Sequence, residues 1–195
     1  EHILPHFYAF ELLMAPYTVG HLKVSLVLEE MGYAFKPGER FKFYLTNTLE
    51  MKEPKGQSVL IDLAREGQEA KKIKEGVPIL VVLGNPPYSV SSENKSIFIE
   101  GGKVPDKKSK SGRVLKYSYV RGLMDLYKDD VKGEKNIQPL SDDYIKFIRF
   151  AHWKLEQAGK GILGVITNNS YLSGIIHRGM RKKLLESFDE VYILN

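Results

Sequence analysis

The stretch from Pro78 to Tyr88 constrains this chain more than any other. An apolar run of strand length, Ile79 to Leu83, rich in Val, Ile and Leu, meets Gly84 and passes into Asn85, Pro86, Pro87 and Tyr88. A continuous apolar run bounded by turn residues reads as a buried strand of a parallel sheet. Two consecutive prolines stop the strand and stiffen the backbone that follows. Open α/β sheets bind ligands just outside the carboxyl ends of their strands. The Asn85 side-chain oxygen and the Pro86 carbonyl are two acceptors on one stiff loop, suited to a planar –NH2 group. The Tyr88 ring adds a face for a flat partner, a contact worth about 1–3 kcal/mol per base. The ordinary explanation is a turn that only ends a strand, but Asn-Pro-Pro-Tyr after such a strand favours the functional one.

Around this stretch the chain alternates strands and helices. Residues 6–10 are β-prone, with Glu11 at their end, and Val19, Leu22, Leu26, Val27 and Met31 follow at helical spacing up to Gly32. An acid at a strand's end can hold ribose hydroxyls, or it can simply sit exposed near a helix start, favoured by the helix dipole. A second β run, Phe41 to Leu45, leads to Asn47, which either meets a cofactor base or caps a turn. Charged residues dominate from Arg65 to Glu75, as on a solvated helix face. Beyond the central stretch, helical spacing is expected from Tyr117 to Tyr127. A helix should start at Ser141, Asp142 and Asp143, with the serine hydroxyl as cap. Its apolar face runs through Tyr144, Ile145, Ile148, Ala151 and Leu155, with His152 and Trp153 as packing or surface residues. A strand over 162–166 again ends in polar residues, Thr167 to Tyr171. A final helix, marked by Met180, Leu184, Leu185 and Phe188, and a final strand over 191–194 close the pattern. Such alternation means an α/β fold with a doubly wound parallel sheet.

Composition narrows the function classes. The 195 residues suffice for one domain with a sizeable core. The absence of cysteine excludes disulfides and thiolate metal sites, and fits a cytoplasmic protein. The five histidines show no paired helical spacing, so no metal site is expected. No apolar run approaches a membrane span, and no signal-peptide pattern opens the sequence. The formal net charge of +5 suits a polyanionic partner. Between 101 and 116 lie Lys103, Lys107, Lys108, Lys110, Arg113 and Lys116 against the one acid Asp106. This is either a solvated loop or a phosphate-contacting arm.

Asn85-Pro86-Pro87-Tyr88 resembles the catalytic motif of S-adenosylmethionine-dependent amino-methyltransferases, most closely the DNA adenine-N6 enzymes. Phe10-Glu11-Leu12 looks like the family's acidic cofactor-ribose motif. Asn47-Thr48-Leu49 looks like the next cofactor motif, with Asn47 where Asp is usual. Stretches 11–17, 44–50 and 164–171 are similar to large bacterial restriction-modification polypeptides. The resemblance implies S-adenosylmethionine as cofactor and double-stranded DNA with a flipped adenine as substrate. It implies catalysis by Asn85, Pro86, Pro87 and Tyr88, and cofactor contacts from Glu11, Leu12, Asn47, Thr48 and Leu49. Lys107, Lys108, Lys110 and Arg113 become DNA contacts. Residues 1–195 are then one partial catalytic domain, with 89–140 an inserted basic, partly flexible segment, in a larger restriction-modification polypeptide. A protein-glutamine methyltransferase uses the same motif on an amide –NH2. A non-catalytic DNA- or partner-binding fragment is the rival of another class.

The resemblance is incomplete in one respect. The family holds the methionine end of its cofactor on a Gly-rich turn after its first strand, and no Gly-x-Gly turn precedes Glu11. The sequence opens at Glu1 rather than at Met, and an amino-terminally truncated domain is the expectation. Its Rossmann-like sheet would then be incomplete, with the first strand's place empty or filled by another segment or a second chain, and the chain alone inactive. Calorimetry tests this directly: S-adenosylmethionine is expected to bind this chain weakly, and tight binding would overturn the truncation.

Overall fold

Two parallel strands, Tyr8–Glu11 (β1) and Lys42–Leu45 (β2), pair in register from Tyr8 opposite Lys42 to Glu11 opposite Leu45. The connection between them is the helix Met14–Glu30 (α1). The computed structural model describes residues 4–51, 61–89, 92–108, 112 and 114–194, and at 61–64, 107, 108 and 115 the backbone alone. The chain forms two compact units, Glu1–Val77 and Pro78–Asn195. The described elements are α-helical and β-stranded, with two small parallel sheets and one antiparallel sheet.

In the first unit, α1 is apolar on more than one side, and the face turned to the sheet is not the one that its leucines suggest. Tyr17, Gly20 and His21 pack on Phe43 of β2, with ring centroids of 5.3 Å for Tyr17–Phe43 and His21–Phe43. The expected stripe is exposed instead, Leu22 at 60% and Met31 at 78%. Gly20 is what allows the approach, since a Cβ there would lie 2.3 Å from the Phe43 ring. Helix Ile61–Gly76 (α2) is one continuous helix through Gly67. It is no solvated face throughout: Ala70, Ile73 and Lys74 are buried, and Ala70 and Ile73 pack with Tyr44, Tyr8, Phe10 and Val77. Glu66 of α2 binds Arg40, accepts the Tyr17 hydroxyl at 2.6 Å and accepts the Leu45 amide at 3.1 Å.

The second unit opens with β3, Val81–Gly84, parallel to β6, Ile162–Val165. Between them come α3 (Ile97–Glu100), the antiparallel hairpin β4 (Gly102–Lys108) and β5 (Val114–Val120), α4 (Asp125–Lys128) and α5 (Asp143–Ala158). Helices α6 (Ser170–Ser173) and α7 (Arg178–Ser187) follow β6. The core is Ile99, Met124, Tyr127, Val131, Leu140, Ile145 and Met180, each fully buried. Burying such a side chain contributes roughly 1.5–3 kcal/mol. Beside it the Tyr127 hydroxyl lies 3.0 Å from His152 Nδ1. Burial draws His152 down to about 4 and leaves it neutral at pH 7.

Several expectations give way here. The β3 run is not buried: Leu83 is 75% exposed, because β3 and β6 form only a two-stranded sheet among the described residues. Residues 117–120 are strand rather than helix, since Tyr117 and Tyr119 pair with Pro105 and Lys103. The cap of α5 is Asp142, not Ser141. Residues 191–194 have no regular structure and are exposed. Predicted helix and strand bounds elsewhere agree to within a few residues.

Gly20 supplies the test of this packing. The Gly20→Ala substitution should lower stability by about 1–3 kcal/mol, because Phe43 is hemmed in by Tyr17, His21 and Phe41. An unchanged thermal midpoint would show that Phe43 can move aside.

Candidate active site

The loop that follows β3 is held from three directions. The Gly84 carbonyl accepts the Ile166 amide at 3.0 Å, which sets the turn after β3 beside the turn after β6. The Asp142 carboxylate caps α5, accepting the Tyr144 amide at 3.4 Å, and its Oδ1 also accepts the Ser89 amide at 2.9 Å. The Ser89 carbonyl in turn accepts the Asp143 amide at 3.3 Å. Pro86 is buried, while Asn85, Pro87 and Tyr88 are exposed. The Asn85 side chain has no hydrogen-bond partner among the described residues. Its amide and the Pro86 carbonyl belong to a loop fixed at both ends.

Tyr88 stands at 52% exposure, edge-on to Tyr144 with centroids 5.9 Å apart, and Tyr144 continues to Tyr171 at 6.4 Å. Burial, with Asp142 nearby, pushes the Tyr144 hydroxyl up to about 12. The row therefore stays neutral across the physiological range at its centre. The polar turn Thr167 to Tyr171 beside it is ordered by the Asn168 side chain, which accepts the Ser170 amide at 3.0 Å.

In the first unit the other expected site residues share one edge. The Glu11 carbonyl accepts the Thr46 amide at 2.7 Å, so Glu11 and Leu12 lie beside the turn holding Asn47, Thr48 and Leu49. Glu11 Oε1 accepts the Leu12 and Leu13 amides at 2.8 and 2.9 Å, at the start of α1. Its Oε2 has no hydrogen bond among the described residues. One oxygen of Glu11 thus satisfies the helix start, as an acid near a helix N-terminus does. Asn47 Oδ1 accepts the Leu49 amide at 3.0 Å and shapes the turn.

Lys74 is the residue that sequence reasoning missed. Its ammonium is buried and donates to Thr46 Oγ1 at 2.9 Å, the Asn47 carbonyl at 2.7 Å and the Glu50 carbonyl at 3.2 Å. It therefore fixes the turn that holds Asn47, Thr48 and Leu49. The signal was present in the helical spacing of Ala70, Ile73 and Val77, whose face includes position 74. Of the expected DNA contacts, Lys107 and Lys108 lie at the end of β4, and Lys110 and Arg113 lie outside the described residues. No group of residues able to hold a metal ion occurs among the described residues. No helix of the described residues is long and apolar enough to cross a membrane.

Burial draws the Lys74 ammonium from its ordinary value down to about 8. The unfolded chain then binds more protons than the folded one between about pH 8 and 10, so this group makes stability rise with pH across that window. Carbon NMR of the lysine side chains should give Lys74 a midpoint near 8, set apart from exposed lysines near 10.4. A Lys74 midpoint among the exposed ones would overturn its burial.

No protein-family model matches the sequence, and no curated protein matches it. Solved structures do. A nuclease-deletion mutant of the Type ISP restriction-modification enzyme LlaGI, in complex with a DNA substrate mimic, is 25% identical with a TM-score of 0.63, over 93% of this chain and 14% of that one. The ATP-dependent Type ISP restriction-modification enzyme LlaBIII bound to DNA is 25% identical with a TM-score of 0.62, over 92% of this chain and 11% of that one. A DrdV–DNA complex matches in fold at 24% identity and a TM-score of 0.60, over 93% of this chain and 16% of that one. This chain spans about a seventh of the LlaGI chain or less of the LlaBIII chain, and shares its fold with a segment of those restriction-modification enzymes.

Proposed function

We propose that this chain is part of the catalytic domain of an S-adenosylmethionine-dependent DNA adenine-N6 methyltransferase, within a restriction-modification enzyme. The observation that carries the reading is the Asn85–Tyr88 loop. It leaves the carboxyl end of a parallel strand with Asn85 unpartnered, Tyr88 exposed and its exit clamped by Asp142. Such a loop is preorganised for an –NH2 group. The likeness to Type ISP restriction-modification enzymes supports the wider setting.

The first unit suits the nucleoside half of the cofactor. Glu11 Oε2 is available for ribose hydroxyls, and Leu12 and the 47–49 turn flank it. Asn47, whose Oδ1 shapes that turn by accepting the Leu49 amide, is placed on it to meet the cofactor's adenine. When bound, the cofactor supplies an electrophilic methyl group. The chain's own part is positioning. The target adenine, extruded from the duplex, stacks on Tyr88. Asn85 Oδ1 and the Pro86 carbonyl accept its two amine protons and hold the nitrogen lone pair out of conjugation with the ring. Acceptors fixed before reaction need no reorganisation as positive charge develops on the amine.

Asn85→Ala in the intact enzyme should cut methyl transfer to adenine by about a hundredfold or more, with DNA affinity little changed. Transfer of labelled methyl to duplex DNA measures it, and undiminished methylation would sink the assignment. A glutamine-containing protein offered as the acceptor should remain unlabelled.

A further inference from the structure

The positive charge of this chain has one address. Within residues 102–120, the β4–β5 hairpin holds six of the chain's 29 basic residues and one of its 24 acidic ones. The rest of the chain therefore carries 23 of each sign, and the formal net charge of +5 is that of the hairpin.

The hairpin also has a distinct face and a fixed root. Tyr119 opposes Lys103 and Tyr117 opposes Pro105 in the antiparallel register, so these four share one side of the ribbon. Both tyrosines are more than half exposed. At the root the Tyr119 hydroxyl donates to Asp125 at 2.9 Å, and the Asp125 carboxylate also accepts the Gly122 amide at 2.8 Å. The crossing needs glycine on both chains. Gly101 has φ +74°, and a Cβ on Gly122 would lie 2.0 Å from the Gly101 nitrogen. A charged ribbon on a pinned base is an arm aimed in one direction.

We infer that the β4–β5 hairpin is a preformed arm that lies in a groove of duplex DNA, its lysines on phosphates and Tyr117 on the sugar-phosphate backbone. The inference takes its partner, DNA, from the function proposed above. Seven strand residues reach about 23 Å, and the major groove of B-DNA admits a two-stranded ribbon. Phosphate contacts of this kind position the protein and carry no sequence information. The residues assigned here are Lys103, Lys116 and Tyr117, together with Lys107 and Lys108 at the end of β4.

The test is the salt dependence of binding to a labelled DNA duplex of about 20 base pairs, read by fluorescence anisotropy without cofactor. Changing Lys103, Lys107, Lys108 and Lys116 together to Gln should reduce the slope of log affinity against log salt by about three to four. A control changing Lys23, Lys72, Lys135 and Lys160, exposed lysines elsewhere, should leave the slope within about one of the parent. Tyr117→Ala should weaken binding about tenfold with the slope unchanged. An RNA duplex of equal length, whose major groove is too narrow for a ribbon, should bind less tightly. Equal loss in both lysine sets, no salt-dependent binding by the unaltered chain, unchanged affinity for Tyr117→Ala, or equal binding of RNA would each overturn the inference. The readout is independent of methylation. An Asn85→Ala enzyme that still methylates would remove the catalytic assignment and leave this one standing, and the reverse also holds.

Discussion

Asp142 is the hinge of the candidate site, because one carboxylate serves two chains. It caps α5, and it holds the Ser89 amide just beyond Tyr88. Next to it Asp143 Oδ1 accepts Ser92 Oγ at 2.6 Å and Asn94 Nδ2 at 2.8 Å. The segment leaving the loop is thereby laced along the first turn of a helix whose own face is the core. A carboxylate at a helix start is favoured by the dipole as well as by the hydrogen bond. The loop takes its rigidity from that helix, and the two prolines only complete it.

A second fixed point repeats the device with the opposite charge. The Lys74 ammonium gathers Thr46, Asn47 and Glu50 as Asp142 gathers Ser89 and Tyr144. In both places a buried charge on a helix organises the turn after a parallel strand. The site residues themselves stay open: Asn85 unpartnered, Tyr88 half exposed, Glu11 with one oxygen uncommitted. Rigidity comes from the two buried charges, and the exposed groups they flank are left open.

Much of this was legible in the sequence, for reasons that differ from residue to residue. The end of β3 at Gly84 is legible because two prolines two residues on cannot continue a ladder. The strand-helix alternation is written in periodicity. Lys74 was hidden because charge argues for solvent, and only the helical neighbours of Ile73 argue otherwise. The β5 strand was hidden because Val120, Leu123 and Tyr127 happen to fall at helical spacing, while what makes it a strand is its pairing with β4. The β3 run reads as buried since Val, Ile and Leu are what a doubly covered parallel strand needs. With β6 as its single partner among the described residues it is exposed instead, as is the Leu22 side of α1. Apolar pattern states what an environment must be, not whether these residues alone provide it.

Charge shows a similar division of labour. Outside the hairpin, the cations of this fold are largely engaged in its own architecture. Arg40 meets Glu66, Lys146 and Lys128 converge on Glu100, and Arg149 meets Glu156. Burial alone would raise the Glu100 carboxyl, but hydrogen bonds from the two lysines hold it below the ordinary range. Such pairs fix geometry and add little stability, since desolvation offsets much of the attraction. They also cancel at a distance. The net positive charge left over lies in the β4–β5 ribbon, where Lys103 is exposed and Lys116 meets the ribbon's one acid, Asp106, at 3.4 Å.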